Sequence, residues 1–175
     1  MRIARAGFRN CQSFSVHAMN LNPSLRIIPL RVFVIAGFIV KSKNKLRMPK
    51  IEEIVSVVGE RVVDNALFAG PATVEATGFK YSRTTEKELF DLCLAAAQNC
   101  NLEGVGAVIA ASFSYGDRFP SLSARLVSSL NLPTSTMAFD LGLACSAYPY
   151  AIYLSGKIAS SLNKKVLVID GDKQS

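Results

Sequence analysis

The stretch FDLGLACSAYPYAIYL, residues 139–154, places one cysteine between a strand-like run and a helix-like run. A cysteine in the first turn of a helix lies beside unpaired backbone N–H groups, whose partial positive charge favours the thiolate over the thiol. The thiolate is the form that attacks carbonyl carbon atoms. Ala144, Ser146 and Ala147 are small and leave room for a substrate carbonyl beside the sulfur. Cys145 is therefore a candidate nucleophile, and the alternative is a cysteine that serves only as a small apolar side chain.

The other cysteines and the single histidine do not form a ligand set for a metal ion. Cys93 and Cys100 fall near one face of a predicted helix, together with Leu89, and are expected in the core. Cys11 and His17 lie outside the expected domain, and no two cysteines have the CxxC spacing. The sequence therefore predicts no metal site and no cofactor. Its free thiols suit a reducing compartment.

The run VLVIDGD carries Asp170 and Asp172 directly after a hydrophobic strand. Phosphatases with an aspartate nucleophile and a magnesium ion share this arrangement, but they also need a lysine and further acidic residues downstream. Only three residues follow Asp172. We therefore favour a strand-end turn in which the two carboxylates accept hydrogen bonds from nearby amides.

Apolar patterning predicts the elements that must position Cys145. Strands are predicted over 32–40, 105–114, 135–144 and 166–169, and the first of these is expected to be a fully buried parallel strand. Helices are predicted over 51–67, 84–99, 121–132 and 146–163. Strands that alternate with helices imply right-handed crossovers, so the fold class is α/β, with a mostly parallel sheet covered by helices on both faces.

Two of the helix predictions rest on particular residues. Apolar side chains recur at helical spacing in the first helix, at Ile51, Ile54, Val55, Val58 and Val62. In the second helix, Thr85 is the predicted N-cap, and Glu88 three residues later completes a capping box.

The formal net charge of +7 is distributed unevenly. Residues 1–50 hold ten Lys and Arg and no acidic residue, whereas the remainder carries a small negative net charge. Because the basic residues are not spread over a folded face with aromatic residues between them, nucleic-acid binding is not predicted. Residues 1–31 form a basic N-terminal extension that is expected to be disordered or a targeting peptide, or to result from a start codon placed too far upstream. The predicted location is cytoplasmic, with an organelle as the alternative.

The apolar run from Val32 to Val40 is too short to cross a bilayer, so no membrane span is predicted.

Residues 138–175 closely resemble the nucleophile region of the 3-oxoacyl-[acyl-carrier-protein] synthase III family, in the thiolase superfamily. That family has a strand ending in Phe-Asp, then Ala-Cys-Ser-Gly-Phe, a long helix, and a strand of the type Val-Leu-Val-Val-Gly. Upstream, residues 104–132 resemble its strand, Phe-Pro-Ser turn and following helix, and residues 76–83 resemble its Thr-Gly-Ile-basic motif. The Ala-Cys-Ser block favours this branch over chain-elongating and chalcone-synthase-like enzymes.

The resemblance covers residues 32–175 and implies the N-terminal half of a thiolase-like condensing-enzyme domain, with a mostly parallel five-stranded sheet and without the C-terminal half. It implies that Cys145 attacks an acyl thioester, on coenzyme A or on acyl carrier protein, and that its backbone N–H supplies part of the oxyanion hole. A malonyl group on acyl carrier protein then loses carbon dioxide and attacks the acyl-cysteine. By the same resemblance Phe119 reaches into the acyl pocket of a partner subunit, and the alternative is a core phenylalanine at a turn.

The sequence departs from the family in three respects. Decarboxylation in the family needs a histidine and an asparagine from the second half of the fold, so this chain alone is expected to be inactive. Ala72 and Ala76 stand where the family commonly has a tryptophan and an arginine that bind coenzyme A. Ala147 replaces the usual glycine after Cys-Ser, and its methyl group is expected to narrow the site.

The family joins two subunits edge to edge, which implies a homodimer. The strand from Val166 to Ile169 is the predicted edge, because an unpaired strand edge favours association. The non-enzymatic alternative is a subunit or scaffold that binds a complete condensing enzyme through an exposed apolar face.

Overall fold

The computed structural model describes residues 3–5, 35–41, 50–117 and 119–173. Its strands are β1 (Ile3–Arg5), β2 (Ile35–Lys41), β3 (Lys50–Val57), β4 (Arg61–Asp64), β5 (Tyr81–Thr84), β6 (Val105–Ala111), β7 (Met137–Leu141) and β8 (Lys165–Asp170). Its α-helices are α1 (Asn65–Phe68), α2 (Pro71–Thr77), α3 (Leu89–Gln98), α4 (Leu122–Ser129) and α5 (Ala147–Leu162). A single 3-10 turn, Ala144–Ser146, precedes α5.

Six strands form the main sheet in the order β1-β3-β2-β8-β6-β7, and β4 pairs with β5 in a separate hairpin. β6 pairs in parallel with both β7 and β8, whereas β2 pairs antiparallel with both β8 and β3. Four of the five longer strands therefore run in one direction and only β2 opposes them. This confirms the predicted α/β class with a mostly parallel five-stranded sheet, to which β1 adds a three-residue sixth strand.

Side-chain alternation along the central strands divides the core into two layers. On β8, Leu167 and Ile169 pack in the layer that contains α3 and α4, while Val166 and Val168 pack in the layer that contains α5. All seven residues of β6 are buried. A strand covered on both faces must be apolar at every position, which explains why β6 and β8 were recognisable as uninterrupted apolar runs.

The helix α5 approaches the sheet closely because its inner face is made of small residues. Ala147, Ala151, Ser155, Gly156 and Ala159 are buried along this face. Side chains of this size let the helix backbone lie near β6 and β8. The predicted helix over 146–163 and the predicted strands that flank it are confirmed.

The helix predicted over 51–67 is wrong. Residues 50–57 form β3 and residues 61–64 form β4, and α1 supplies only the last turn of the predicted segment. The apolar residues there are β-branched isoleucine and valine, which favour strands. Val55 and Val57 are fully buried against the α3 layer. Pairing with β2 outweighed the apparent helical spacing.

Three finer predictions are also wrong. The strand around residues 32–40 pairs antiparallel, not parallel, as β2 shows. Thr85 does not cap α3: the N-cap is Glu88, which makes no side-chain capping bond, and the Thr85 hydroxyl donates to Glu60 at 2.9 Å. The strand Val166–Ile169 is not a sheet edge, because β8 lies between β2 and β6. Within the described residues, β7 and the short β1 are the edges of this sheet.

Most of the predicted N-terminal extension, with Cys11 and His17, lies outside the described residues, so its disordered or targeting character stays a prediction. Ile3–Arg5 pairs with β3. None of the helices in the described ranges has the length and apolar character needed to cross a bilayer.

We expect Leu167→Ala to lower the free energy of unfolding by about 2 to 5 kcal/mol, because Leu167 is fully buried in the middle of the sheet. Urea unfolding followed by circular dichroism measures the change. Leu67→Ala is the matched control, because Leu67 is 88% exposed and its truncation should change stability by less than about 0.5 kcal/mol. Equal losses in the two variants would contradict the assigned core.

Candidate active site

The carboxyl ends of β6, β7 and β8 lie at one edge of the sheet. In the parallel register Ala111 pairs with both Leu141 and Asp170, so the three strands end side by side. Crevices at the carboxyl ends of parallel strands are the usual ligand sites of α/β sheets. The loop after β6, the turn after β7 and the residues after β8 therefore meet where a site is expected.

Cys145 lies in the turn after β7, within the 3-10 turn that leads directly into α5. The cysteine is exposed, whereas Ala147 two residues later is 2% exposed and packs in the core below the helix. The sulfur-bearing residue thus stands on the open side of the turn, next to the N-terminal amides of a sixteen-residue helix. The methyl group of Ala147 is directed into the core, so the expectation that it narrows the site finds no support in this arrangement.

The turn that carries Cys145 is locally strained and internally hydrogen-bonded. Ala144 has a φ of 48°, in the left-handed region that residues with a Cβ rarely adopt. The Ser146 hydroxyl donates to the Leu143 carbonyl at 2.7 Å, and the Ser146 amide donates to the same oxygen at 3.2 Å. Strain of this kind persists only where the surroundings hold the backbone, and it often occurs beside functional groups.

The two cysteines of the α3 segment, Cys93 and Cys100, are buried, whereas Cys145 is exposed. Cys93 is fully buried, and burial, together with the nearby aspartates, raises the pKa of its thiol to about 12. Cys100 is 8% exposed, and its thiol donates to the Ala96 carbonyl at 3.6 Å. The prediction that both are core residues is confirmed.

Asp172 connects the end of β8 to the loop after β6. Its Oδ1 atom accepts hydrogen bonds from the amides of Phe113 and Ser114 and from the hydroxyls of Ser112 and Ser114, all at 2.9 to 3.0 Å. The predicted capping role is therefore confirmed for this aspartate. Among the described residues, no group of three or more histidine, cysteine or acidic side chains is placed to hold a metal ion.

Asp170 does not share this role. Its position on β8 puts its side chain on the α5 face of the sheet, where it is half-buried. Burial, with a smaller contribution from the charge of Asp172, raises the pKa of its carboxyl group from 3.8 to about 6.

A second carboxylate at this edge escaped the sequence analysis. Asp140 of β7 accepts from the amides of Leu122 and Ser123, at 2.8 and 2.9 Å, and so caps the N-terminus of α4 together with Ser121. The sequence does show an aspartate, Asp140, at the end of a predicted strand. That it caps α4 could not be predicted, because local patterns do not indicate that β7 and α4 are neighbours.

Phe119 lies in the loop between β6 and α4 and is 92% exposed. This exposure excludes the alternative of a core phenylalanine. Ala72 and Ala76 are both exposed on α2, a helix that has no buried residue. Neither position offers an aromatic ring or a cation, and the part that the resemblance gives them in binding coenzyme A stays a prediction.

A cavity of about 360 Å³ opens between the N-terminus of α3 and the loop after β6, and Cys145 does not line it. Its main cation is already satisfied: Arg125 donates to the Tyr115 hydroxyl at 2.8 Å, pairs with Asp117 at 3.5 Å and lies 4.0 Å from the centre of the Phe90 ring. The cavity therefore does not mark the reacting centre.

Comparison with known proteins gives the following relatives. Beta-ketoacyl-[acyl-carrier-protein] synthase III 2 of Bacillus anthracis is 32% identical over 105 residues, which are 55% of this chain and 32% of that protein. The Bacillus subtilis protein of the same name is 30% identical over 122 residues, 65% of this chain and 36% of that protein. The chain thus spans about one third of the length of these relatives. No protein-family model matches it.

Solved structures agree. A 3-oxoacyl-(acyl-carrier protein) synthase from Burkholderia xenovorans LB400 superposes with a TM-score of 0.54 at 28% identity, over 63% of this chain and 36% of that one. The synthase III of Thermus thermophilus superposes with a TM-score of 0.60 at 22% identity, over 81% of this chain and 42% of that one, and shows the fold.

The sheet and its two helical layers are therefore those of a thiolase-like fold. The chain is similar to about one third of the beta-ketoacyl-[acyl-carrier-protein] synthase III proteins, which agrees with the resemblance seen in its sequence.

We expect Asp170→Asn to stabilise the protein at neutral pH. The folded state keeps the proton of Asp170 up to about pH 6, whereas an unfolded aspartate loses it near pH 4, so rising pH between these values lowers the free energy of unfolding. The variant should gain about 1 to 2 kcal/mol at pH 7.5, after allowance for solvent screening of a half-exposed group, and almost nothing at pH 4.

Urea unfolding at the two pH values measures this difference. Asp64→Asn is the control for the removal of one carboxylate, because Asp64 is an exposed helix cap that accepts from the Ala66 amide at 2.8 Å. An Asp170→Asn effect that is independent of pH would refute the assignment.

Proposed function

We propose that this chain carries the acyl-enzyme step of a decarboxylative Claisen condensation in fatty-acid or polyketide-type synthesis. The observation that carries the proposal is the exposed Cys145, held in a strained turn ahead of α5 in a chain whose relatives are synthases of this type. The thiolate of Cys145 attacks the carbonyl carbon of an acyl thioester. The resulting oxyanion accepts a hydrogen bond from the Cys145 backbone amide, and the carrier thiolate leaves and takes up a proton.

The second step is proposed to follow the chemistry of the family. A malonyl group on acyl carrier protein loses carbon dioxide, and the carbanion attacks the acyl-cysteine and releases the Cys145 thiolate. This step needs a histidine and an asparagine in the family, and the one histidine of this sequence, His17, lies outside the described residues. We therefore propose that the chain alone accepts an acyl group but does not complete the condensation.

The proposed partners are an acyl carrier protein and an acyl thioester. Because Ala72 and Ala76 offer neither a stacking ring nor a cation on α2, recognition of the nucleotide of coenzyme A is weakened, and delivery of the acyl group by carrier protein is favoured. The proposed location remains the cytoplasm, with an organelle as the alternative.

We propose a homodimer formed through β7. This strand ends the described sheet, Met137 on it is 45% exposed, and unpaired strand edges favour association. Phe119, which is 92% exposed, precedes the helix that packs on β7, and we propose that a partner at this edge contacts its ring.

A scaffold that binds a complete condensing enzyme remains a second candidate, because one observation favours it. The face of α5 turned away from the sheet carries Tyr150 and Tyr153, which are 56% and 63% exposed. Exposed aromatic surface of this kind is typical of contact sites. Failure of the chain to form a complex with a complete homologous synthase would remove this candidate.

Incubation of the full chain with a short acyl group on acyl carrier protein, or with the matching acyl-pantetheine thioester, should add one acyl group, detected by intact mass and mapped to the peptide of Cys145. Cys145→Ala should abolish the adduct, and Cys100→Ala is the matched control that should retain it. Iodoacetamide at pH 7.5 should modify Cys145 at least about 100-fold faster than Cys93, whose pKa of about 12 keeps it protonated. Absence of the adduct, or equal alkylation rates, would defeat the proposal.

Sedimentation should show a dimer of the chain at micromolar concentration. Met137→Lys should shift it towards monomer, because a charge on an edge strand opposes pairing. Leu67→Lys, a substitution at an exposed site remote from β7, should leave the dimer intact. A wild-type chain that sediments as a monomer would contradict the proposed edge.

A further inference from the structure

Asp172 concentrates its hydrogen bonds on a single atom. Four donors converge on Oδ1: the Ser112 hydroxyl, the Phe113 amide, the Ser114 amide and the Ser114 hydroxyl. The two serine hydroxyls also accept, from the amides of Tyr115 and Lys173 at 3.2 and 2.8 Å. The first residues after β6 are therefore fixed to the residues after β8 by a closed set of bonds.

The same loop contacts the backbone that leads to Cys145. The Ser112 amide donates to the Leu141 carbonyl at 3.2 Å, and the Ser112 carbonyl oxygen lies 4.0 Å from the position that a Cβ would occupy on Gly142. Gly142 precedes Cys145 by three residues. The loop thus continues the pairing of β6 and β7 by one residue beyond the end of the sheet.

The described hydrogen bonds of the cysteine turn lie mainly within the turn. The described hydrogen bonds of Ser146 both end on the Leu143 carbonyl, within the turn. Its left-handed Ala144 must be held against relaxation from outside. On the C-terminal side of the turn that restraint is α5. On the N-terminal side it is the segment Leu141–Gly142, which contacts Ser112.

We propose that Asp172 is a positioning residue for Cys145: by fixing the 112–114 loop, it holds Leu141 and Gly142 and so keeps the cysteine turn in its strained, reactive orientation. This inference rests on the proposed function, in which Cys145 is the nucleophile. Asp172 touches neither substrate nor sulfur in this role. Its effect passes through the Ser112–Leu141 backbone hydrogen bond and the approach of the Ser112 carbonyl to Gly142, in the way that a supporting layer of residues fixes a reacting group.

Two variants of Asp172 can distinguish the effect of its hydrogen bonds from the effect of its negative charge. Because all four bonds reach one oxygen, the amide oxygen of an asparagine can accept them without a negative charge. Asp172→Asn should therefore preserve the reactivity of Cys145, whereas Asp172→Ala leaves four donors without an acceptor and frees the loop. An electrostatic role would make the two variants behave alike.

The test is the rate of Cys145 alkylation by iodoacetamide as a function of pH, measured on the full chain by mapping the Cys145 peptide. Asp172→Ala should slow the reaction at pH 7.5 about tenfold and move the midpoint of the pH profile upwards, because a sulfur displaced from the N-terminal amides of α5 forms less thiolate. Asp172→Asn should stay within about threefold of wild type. Asp64→Ala is the matched control, because it removes a carboxylate that accepts from a backbone amide at the separate β4–β5 hairpin, and it should leave rate and midpoint unchanged.

A rate and midpoint that Asp172→Ala leaves at the wild-type values would overturn the inference, as would Asp172→Asn behaving like the alanine variant. If Asp172→Ala shows no cooperative urea transition, the Ser112→Ala and Ser114→Ala double variant takes its place and should slow the reaction in the same direction. A wild-type Cys145 that accepts no acyl group defeats the proposed function. Acylation of the wild type with no response to these variants defeats the positioning role alone.

Discussion

The parallel register of β6 with β7 and β8 is the constraint on which the rest of the molecule depends. It brings Ala111, Leu141 and Asp170 to one edge, and Cys145 and Asp172 follow Leu141 and Asp170 along the chain. The register is held because each central strand is buried on both faces. If the register shifted by one residue, every side chain of that strand would turn to the opposite face of the sheet. Side chains that now pack in the layer of α5 would then face the layer of α3 and α4, and the reverse.

Two carboxylates join the parts that this register brings together. Asp140 ties the edge strand β7 to the start of α4, and Asp172 ties the end of β8 to the loop after β6. Both accept from backbone amides that the ends of regular elements leave without partners. The arrangement makes the carboxyl edge rigid without a metal ligand set among the described residues. The turn of Cys145 is exposed at this edge.

The sequence revealed the second half of the fold more fully than the first. From Val105 onwards, the continuous apolar strands, the helix over 121–132 and the long helix after Cys145 each carry a local signal, and all three predictions hold. The prediction of a helix failed over residues 51–64. Their β-branched side chains recur at spacings of three and four, but the same pattern also fits two strands interrupted at Gly59. The direction of β2, the central place of β8 and the roles of Asp140 and Asp172 depend on contacts between distant segments, which local patterns do not contain.

β7 combines two properties in five residues. One side of it is an open sheet edge, and four residues beyond its end stands the thiol. A partner strand that forms backbone hydrogen bonds with β7 would stiffen the same segment that leads to the Cys145 sulfur. In the proposed symmetric dimer, pairing at β7 would therefore restrain in each copy the backbone that leads to the proposed nucleophile.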